Sequence, residues 1–208
     1  MAESYAFRTV QIAPRQWPQV TRAVHTTAAA AMRRDGGQLW GLFTPLIGLR
    51  SDRGIVISAW PEPAEASAPA DAALRGIPEI LAVSGEDLQP TVRPKTAVPP
   101  RGPGIYSFRW FNLRAADWPE LVELSSAAWE TFEQAFGAGI LGLWLSRAVA
   151  GPAARGLLLT RYADHAAWDR SRPDGPAPGD PESARRFLRR RELVESTICM
   201  TTKLVEAD

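Results

Sequence analysis

Few residues of this chain have the types and spacing that catalysis or metal binding requires. Its 208 residues contain only two histidines, His25 and His165, and one cysteine, Cys199. Protein metal sites usually need about four such ligands at short, regular spacings, and these three lie far apart. The nucleophile elbow, the phosphate-binding loop and the dinucleotide fingerprint are absent from the sequence. We therefore expect no metal and no cofactor, and whether the chain is an enzyme stays open.

The single cysteine bears on chemistry and on compartment. Cys199 lies between Ile198 and Met200 on a predicted strand, which favours a buried and unreactive thiol. One cysteine cannot form an internal disulfide, and this is typical of proteins in a reducing compartment. Residues 1–8 lack the apolar core of a secretory signal. We expect a soluble, cytoplasmic protein.

The charge pattern argues against nucleic-acid and membrane partners. Twenty-four basic residues balance twenty-three acidic ones, for a net charge of +1, so long-range attraction to polyanions is weak. A predicted helix is rich in arginine, but Glu182 and Glu192 lie on it as well, and we expect a solvated helix face. Its arginines are Arg185, Arg186, Arg189, Arg190 and Arg191. The longest apolar stretch, residues 137–159, is interrupted by Arg147 and Arg155, so no membrane helix is predicted.

An internal repeat organises the chain. Four residue pairs recur at one nearly constant offset, and the last of them is shifted by a single residue. The pairs are Phe7-Arg8 with Phe108-Arg109, Trp17-Pro18 with Trp118-Pro119, Gly41-Leu42 with Gly142-Leu143, and Arg53-Gly54 with Arg155-Gly156. Chance does not produce four such matches in one register, so we predict a duplication.

Each copy has the same predicted order of elements. Residues 1–95 form the first half, 96–104 a stiff proline-rich linker, and 105–208 the second half. Strands are predicted at 5–12, 38–49, 53–60 and about 86–93, then at 106–113, 140–148, 156–162 and 194–203. Helices begin at Trp17 and near Asp117, where Glu120 would complete a capping box, and a second helix follows in each half. The order β-α-β-β-α-β is that of the ferredoxin-like fold.

The alternation along the first strand of each half predicts which residues face a cavity. Its sheet has helices on one face, and the second copy would cover the other, packing the two antiparallel sheets into one α/β barrel. We expect Val10, Ile12, Phe111 and Leu113 to face the helices, and Thr9, Gln11, Trp110 and Asn112 to point between the sheets. The mixture of polar and aromatic residues in the inner set is typical of a ligand cavity.

In these features the sequence resembles the dimeric α/β-barrel superfamily and, within it, the NIPSNAP-like domains. The resemblance rests on the aromatic-Arg strand starts at Phe7 and Phe108, on the segment 141–144, and on the apolar strand 157–164 with the short helix 166–170. It implies a tandem α+β fold and, for an active member, cofactor-less oxygenation or isomerisation. Some tandem relatives bind haem through a histidine, so the resemblance offers His165 as an alternative haem ligand.

Two functions remain open on these grounds. In the first, a small apolar or aromatic molecule binds between the two sheets. Trp110 and Trp144 would provide contact area, and the polar groups of the ligand would be oriented by Gln11, Asn112, Thr160 and Tyr162. In the alternative, the barrel is filled with side chains and the protein acts through its surface as an interaction or assembly module. Fusion of the halves permits a monomer, and a homodimer is the other expectation.

Overall fold

The computed structural model of the chain describes residues 4–61, 67–172 and 181–207. The first half contains the strands β1 (Ser4–Ile12), β2 (Gln38–Ile47), β3 (Arg53–Trp60) and β4 (Ile80–Pro90). Its helices are α1 (Trp17–Ala23), α2 (Ala29–Arg34) and α3 (Ser67–Arg75), and a π-helical turn, Val24–Ala28, joins the first two.

The second half repeats this order. Its strands are β5 (Ile105–Arg114), β6 (Gly139–Ser146), β7 (Ala153–Tyr162) and β8 (Val194–Val205). Its helices are α4 (Trp118–Phe136), α5 (His165–Arg170) and α6 (Pro181–Glu192). In the sequence, Asp180 precedes Pro181 and Glu182, a pattern that predicts an N-cap for α6, but Asp180 lies outside the described residues.

The eight strands form one closed antiparallel barrel in the order β1-β3-β2-β8-β5-β7-β6-β4. Within each half the order is that of a ferredoxin-like sheet, and the halves join where β2 pairs with β8 and β4 pairs with β6. The predicted α+β class and the duplicated ferredoxin-like halves are confirmed. Each of the eight strands has two neighbours, so the barrel leaves none of their edges unpaired.

Strand alternation divides the apolar residues into an inner core and two outer cores. Val10 and Ile12 pack with the helices of the first half, and Phe111 and Leu113 pack with those of the second. Trp110 points into the barrel. The predicted facing of these strands is therefore confirmed.

The repeated Trp-Pro and Arg-Gly pairs of the sequence meet in the structure. A Cβ atom on Gly54 would lie 2.7 Å from the Trp17 ring, and one on Gly156 would lie 2.2 Å from the Trp118 ring. Only glycine leaves room for the indole that begins each first helix. The two dipeptides recur together because the tryptophan of one packs directly against the glycine of the other.

A second glycine–aromatic pair recurs inside the barrel. A Cβ on Gly41 would lie 2.6 Å from the Phe43 ring, and one on Gly142 would lie 2.1 Å from the Trp144 ring. Both glycines sit beside a register shift in their strand. The bulge and the missing side chain together let a large inward-facing ring lie over the strand.

Two local predictions were wrong. Strand β4 begins at Ile80 and not near Glu86, because its first residues alternate poorly and Leu81 is exposed. Asp117 does not cap α4 with its side chain, because its carboxylate accepts hydrogen bonds from Arg114 at 2.7 and 3.0 Å. Glu120 likewise binds Arg189 of α6 at 2.7 and 3.0 Å, so tertiary ion pairs replace the capping box.

None of the helices in the described ranges combines the length and the apolarity that crossing a membrane requires.

Candidate ligand-binding site

The interior of the barrel is filled with aromatic side chains. Phe7 and Phe108, the repeated residues of β1 and β5, contact each other near the middle, with ring centroids 5.9 Å apart. Neighbouring rings meet edge to face at centroid distances of 5.0 to 5.9 Å, a favourable packing geometry. The other rings of this core are Tyr5, Trp40, Phe43, Tyr106, Trp110 and Trp144. These rings occupy the space between the two sheets, where the sequence led us to expect a ligand.

Four residues of the predicted site face the barrel interior, and each of them has contacts within the protein. Trp110 and Trp144 are 2% and 0% exposed and belong to the packed interior. Gln11 and Asn112 are half-buried polar residues with partners of their own. Gln11 Nε2 lies 3.5 Å from Asp52, and Asn112 Nδ2 donates to Ser196 Oγ at 3.0 Å.

Thr160 and Tyr162 lie on the opposite face of the sheet. In β7, Leu157 and Leu159 point into the barrel, so the alternation turns Thr160 and Tyr162 outward, towards the helices. The six residues predicted to form one site therefore do not converge. Thr160 and Tyr162 do line a cavity, but it is outside the barrel.

This cavity, which we call the α4–α6 cleft, has a volume of about 310 Å³ and lies between the second-half sheet and its helices. Its size is at the lower end of the range of about 300–1,000 Å³ that small-molecule sites occupy. β5 contributes Ser107, Arg109 and Phe111; β7 contributes Leu158, Thr160 and Tyr162; the helices contribute Phe132 from α4 and Phe187 and Arg190 from α6; and Val194, Glu195 and Thr197 come from β8.

The aromatic residues form the apolar wall of the cleft. Phe132 contacts Phe187 across the two helices at a centroid distance of 6.0 Å and the Tyr162 ring at 6.4 Å. Burial raises the pKa of Tyr162 above its ordinary value, so the phenol is neutral at physiological pH. Its hydroxyl lies 3.1 Å from Ser171 Oγ. Tyr162 thus offers a neutral hydrogen-bonding group beside apolar rings.

Arg109 and Arg190 line the same cleft and bring positive charge to it. The guanidinium of Arg190 stacks over the Phe111 ring at 4.9 Å. Its Nε is inaccessible to water and has no hydrogen-bond partner among the described residues. Burial and the neighbouring Arg109 guanidinium lower the pKa of Arg190 to about 10. Neither arginine forms an ion pair within the described ranges.

The equivalent position of the first half is occupied differently. Arg8, the counterpart of Arg109, is neutralised by Asp71 at 2.5 Å and Asp87 at 2.9 Å. Trp60, the counterpart of Tyr162, is fully buried in the first outer core and donates a hydrogen bond to Ser58 at 2.8 Å. The smaller Tyr162 and the unneutralised Arg109 distinguish the second half from the first.

His165 does not provide a site for haem. Its Nε2 lies 3.1 Å from Thr201 Oγ1, and its ring packs edge-on against Trp168. It lines a surface groove beside residues 102–104, and none of the residues that line the α4–α6 cleft is a histidine, cysteine or methionine. Within the described ranges, no cluster of three histidine, cysteine or acidic residues is suited to a metal ion. The residues present do not fit a histidine-ligated haem.

His25 and Cys199 have structural contacts. His25 lies on the π-helical turn, where its Nε2 lies 3.1 Å from the carbonyl oxygen of Val205. Cys199 is half-buried, and its Sγ lies 3.2 Å from Ser107 Oγ on the outer face of the sheet. The thiol is therefore half-buried, and the prediction of a buried thiol was too strong.

Sequence reasoning missed the two arginines of the cleft. The solvated helix face predicted for the arginine-rich helix holds for exposed Arg185 and Arg189 but not for Arg190. Two signals were available. Arg190 follows Phe187 by three residues, which places both on one helix face, and Arg109 shares the strand face of Phe111, already assigned towards the helices.

Comparisons with solved structures agree with this architecture. A candidate monooxygenase from Lactobacillus acidophilus superposes with a TM-score of 0.61 at 12% identity, with all of both chains covered. A ferredoxin-fold protein from Listeria monocytogenes, related to antibiotic biosynthesis monooxygenases, gives a TM-score of 0.51 at 11% identity, covering 100% of this chain and 97% of that one. A mutant chlorite dismutase from Candidatus Nitrospira defluvii gives 0.59 at 10% identity, covering 99% and 92%.

These likenesses define the class of fold. The chain has a duplicated ferredoxin-like fold, with both halves of the barrel on one chain. Comparison of the sequence with protein-family models and with curated proteins finds no match. At such low identities the structural likeness establishes the fold and leaves function to the site.

Proposed function

We propose that the chain binds a small molecule with an apolar or aromatic body in the α4–α6 cleft. One observation carries the proposal: the cleft combines aromatic walls with two arginines that have no ion-pair partner in the described structure. Binding sites typically combine apolar walls with a few convergent polar groups. Tyr162, Thr160 and Ser107 add hydroxyl groups on the floor formed by the sheet.

The rival function is an interaction or assembly module without a ligand. This alternative expects a barrel filled with side chains, and the aromatic packing inside the barrel supports it. A filled barrel, however, leaves the outer cleft open, and a surface module gives no reason for unneutralised arginines there. The cleft therefore favours the binding function.

Catalysis in the same cleft is a second candidate. The fold neighbours named as monooxygenases or as related to them support an oxygenation, and the sequence resemblance implies a cofactor-less oxygenation or isomerisation. The lining residues offer no strong general base, because the pKa of Tyr162 is raised and Glu195 is exposed. Mass spectrometry of a bound ligand before and after aerobic incubation with the protein would show a mass change if catalysis occurs.

The residue pattern also supports three finer proposals. We propose a NIPSNAP-like grouping on the aromatic-Arg strand starts and the short helix after β7. The single cysteine supports a cytoplasmic location. The internal pairing of the two halves supports a monomer, since fusion supplies the contact that single-domain relatives obtain by dimerising.

A pair of neighbouring substitutions on α6 tests the binding site. Phe187 lines the cleft, whereas the next residue, Leu188, is 57% exposed and does not. In Phe187→Trp, the larger ring fills part of the cleft, and we expect affinity for small aromatic ligands, measured by calorimetry, to fall at least about tenfold. Leu188→Trp adds the same ring outside the cleft and should leave affinity unchanged.

The results for the two variants decide whether the ligand binds in the α4–α6 cleft. Equal affinity of the Phe187→Trp variant and the unmodified protein, with both folded by circular dichroism, would contradict binding in the cleft. Loss of binding in both tryptophan variants would indicate a general disturbance of α6. That outcome would also contradict the proposal, because the cleft would then explain no difference between neighbouring positions.

A further inference from the structure

We propose that the ligand of the α4–α6 cleft carries an anionic oxygen group, the chemistry that carboxylates and phosphates share, and that Arg109 and Arg190 bind it. The proposal rests on the proposed function and adds the charge class of the ligand. It assigns the arginines a binding role and assigns no reaction.

The comparison between the two halves supplies the main argument. The duplication placed an arginine at the same strand position twice. In the first half, Arg8 has Asp71 and Asp87 as charged partners and also donates to the carbonyl oxygens of Phe7 and Glu86. A desolvated arginine normally has such partners, because an uncompensated buried charge is costly. Arg109 lacks them within the described ranges and faces a cavity instead.

Arg190 strengthens the argument, because it brings a second positive charge to the cleft. Two guanidinium groups on one small cavity repel each other, and an anion in contact with both would relieve that repulsion. A guanidinium group can also donate two parallel hydrogen bonds to a pair of oxygens of a carboxylate or a phosphate. The water-inaccessible Nε of Arg190 has no acceptor in the described structure, so the donor set is incomplete without a ligand.

The other charged groups at the cleft do not neutralise this pair. Glu195 is the one carboxylate among the residues that line the cleft. It is exposed and forms no ion pair with Arg109 or Arg190 in the part of the chain described here. Arg191 also lines the cleft.

The size and walls of the cleft limit the rest of the ligand. An apolar cavity of about 150 Å³ holds one benzene ring, and the cleft has about 310 Å³. This volume fits one aromatic ring with a short acidic side chain. The ring would lie against Phe132 and Phe187, and the hydroxyls of Tyr162 and Thr160 could donate to the acidic oxygens.

Small aromatic probes of similar size test the charge class, and phenylacetate and phenylacetamide also match in shape. Phenylacetate, phenyl phosphate and neutral phenylacetamide are titrated into the protein by calorimetry at low salt. We expect at least one of the two anions to bind about tenfold or more tightly than the amide, and this preference to weaken as salt is added. Arg109→Met and Arg190→Met should each remove most of the preference and leave the affinity for the amide nearly unchanged.

Arg34→Met is the control, because Arg34 is an exposed arginine of α2 in the first half and lies outside the cleft. It should retain the full preference for the anion. If phenylacetate binds tightly and phenyl phosphate does not, the anion is a carboxylate, and the reverse result identifies a phosphate.

The outcomes distinguish the proposed anionic group of the ligand from the proposed binding of a small molecule in the cleft. Equal affinity for the anions and the amide would overturn the charge assignment and leave aromatic binding in the cleft intact. A preference for the anions that survives both methionine substitutions would overturn the role of the arginines. Failure of all three probes to bind at millimolar concentration would contradict small-molecule binding in the cleft itself.

Discussion

Arg8 and Arg109 occupy the same position in the two halves but have opposite electrostatic surroundings. Arg8 is 3% exposed and is held by two carboxylates and two carbonyl groups. Arg109 is half-buried, and the described residues provide it with no carboxylate. The ancestral arginine has thus become a structural residue in one half and a candidate binding residue in the other.

Substitution of the two arginines should therefore have unequal effects on stability. Arg8→Met leaves Asp71 and Asp87 without their shared partner, and we expect it to lower the free energy of unfolding by about 3 kcal/mol. Arg109→Met removes an uncompensated charge, and its stability should stay within about 0.5 kcal/mol of the parent. Urea denaturation of both variants measures this difference. Equal destabilisation would show that Arg109 has a structural partner.

The residue scale also shows where sequence reasoning succeeds and where it stops. Alternation along a strand is a local property, so the inward facing of Trp110 and the outward facing of Phe111 could be predicted. The inward direction of Arg190 depends on how α6 packs on α4, which a single strand or helix does not reveal. Tyr162 lines the cleft at the position where the first half has the larger Trp60, and the volume of the cleft follows from tertiary packing.

At the scale of helices and strands, the packing of the first helix of each half on the sheet depends on a glycine paired with an aromatic ring. The repeated dipeptides of the sequence record contacts between elements: an indole at the start of α1 or α4 lies over a glycine of β3 or β7. The repeats could therefore reveal the architecture of each half. The start of β4 could not be predicted, because its first residues are exposed and carry no clear alternation.

Replacement of Gly142 tests this coupling. A methyl group there would lie 2.1 Å from the Trp144 ring, which is fully buried. We expect Gly142→Ala to lower the free energy of unfolding by about 1–3 kcal/mol, as overpacked cores do. Gly139→Ala, in the same strand, is the control, because a Cβ atom there meets no atom within 4 Å. Similar stabilities of the two variants in a denaturation experiment would contradict the account.

The whole molecule buries all three of its tyrosines, Tyr5, Tyr106 and Tyr162. Burial raises the pKa of each phenol, and that of Tyr5 reaches about 12. The unfolded chain ionises its tyrosines near pH 10. Folding stability from this source is therefore complete below about pH 10 and is lost as the pH rises towards 12.

An alkaline titration checks this expectation. Tyrosinate absorbance of the folded protein should remain low at pH 10 to 11, where the unfolded chain in denaturant is already ionised. It should then rise together with the loss of circular dichroism, because unfolding exposes all three phenols. Ionisation of one or more tyrosines near pH 10 without unfolding would show that the barrel interior or the cleft admits water.

At the scale of the whole molecule, the interior of the closed barrel is packed with side chains, and the candidate binding site lies outside the barrel. The two sheets meet over packed aromatic rings, and the second half differs from the first in a cleft whose Arg109 and Arg190 have no ion-pair partner among the described residues. The most direct test is a crystal structure of the protein soaked with phenylacetate and, in parallel, with phenyl phosphate. We predict ligand density in the α4–α6 cleft, with the acidic oxygens within hydrogen-bonding distance of Arg109 and Arg190. Density inside the barrel, or an empty cleft at saturating concentrations of both ligands, would contradict the account.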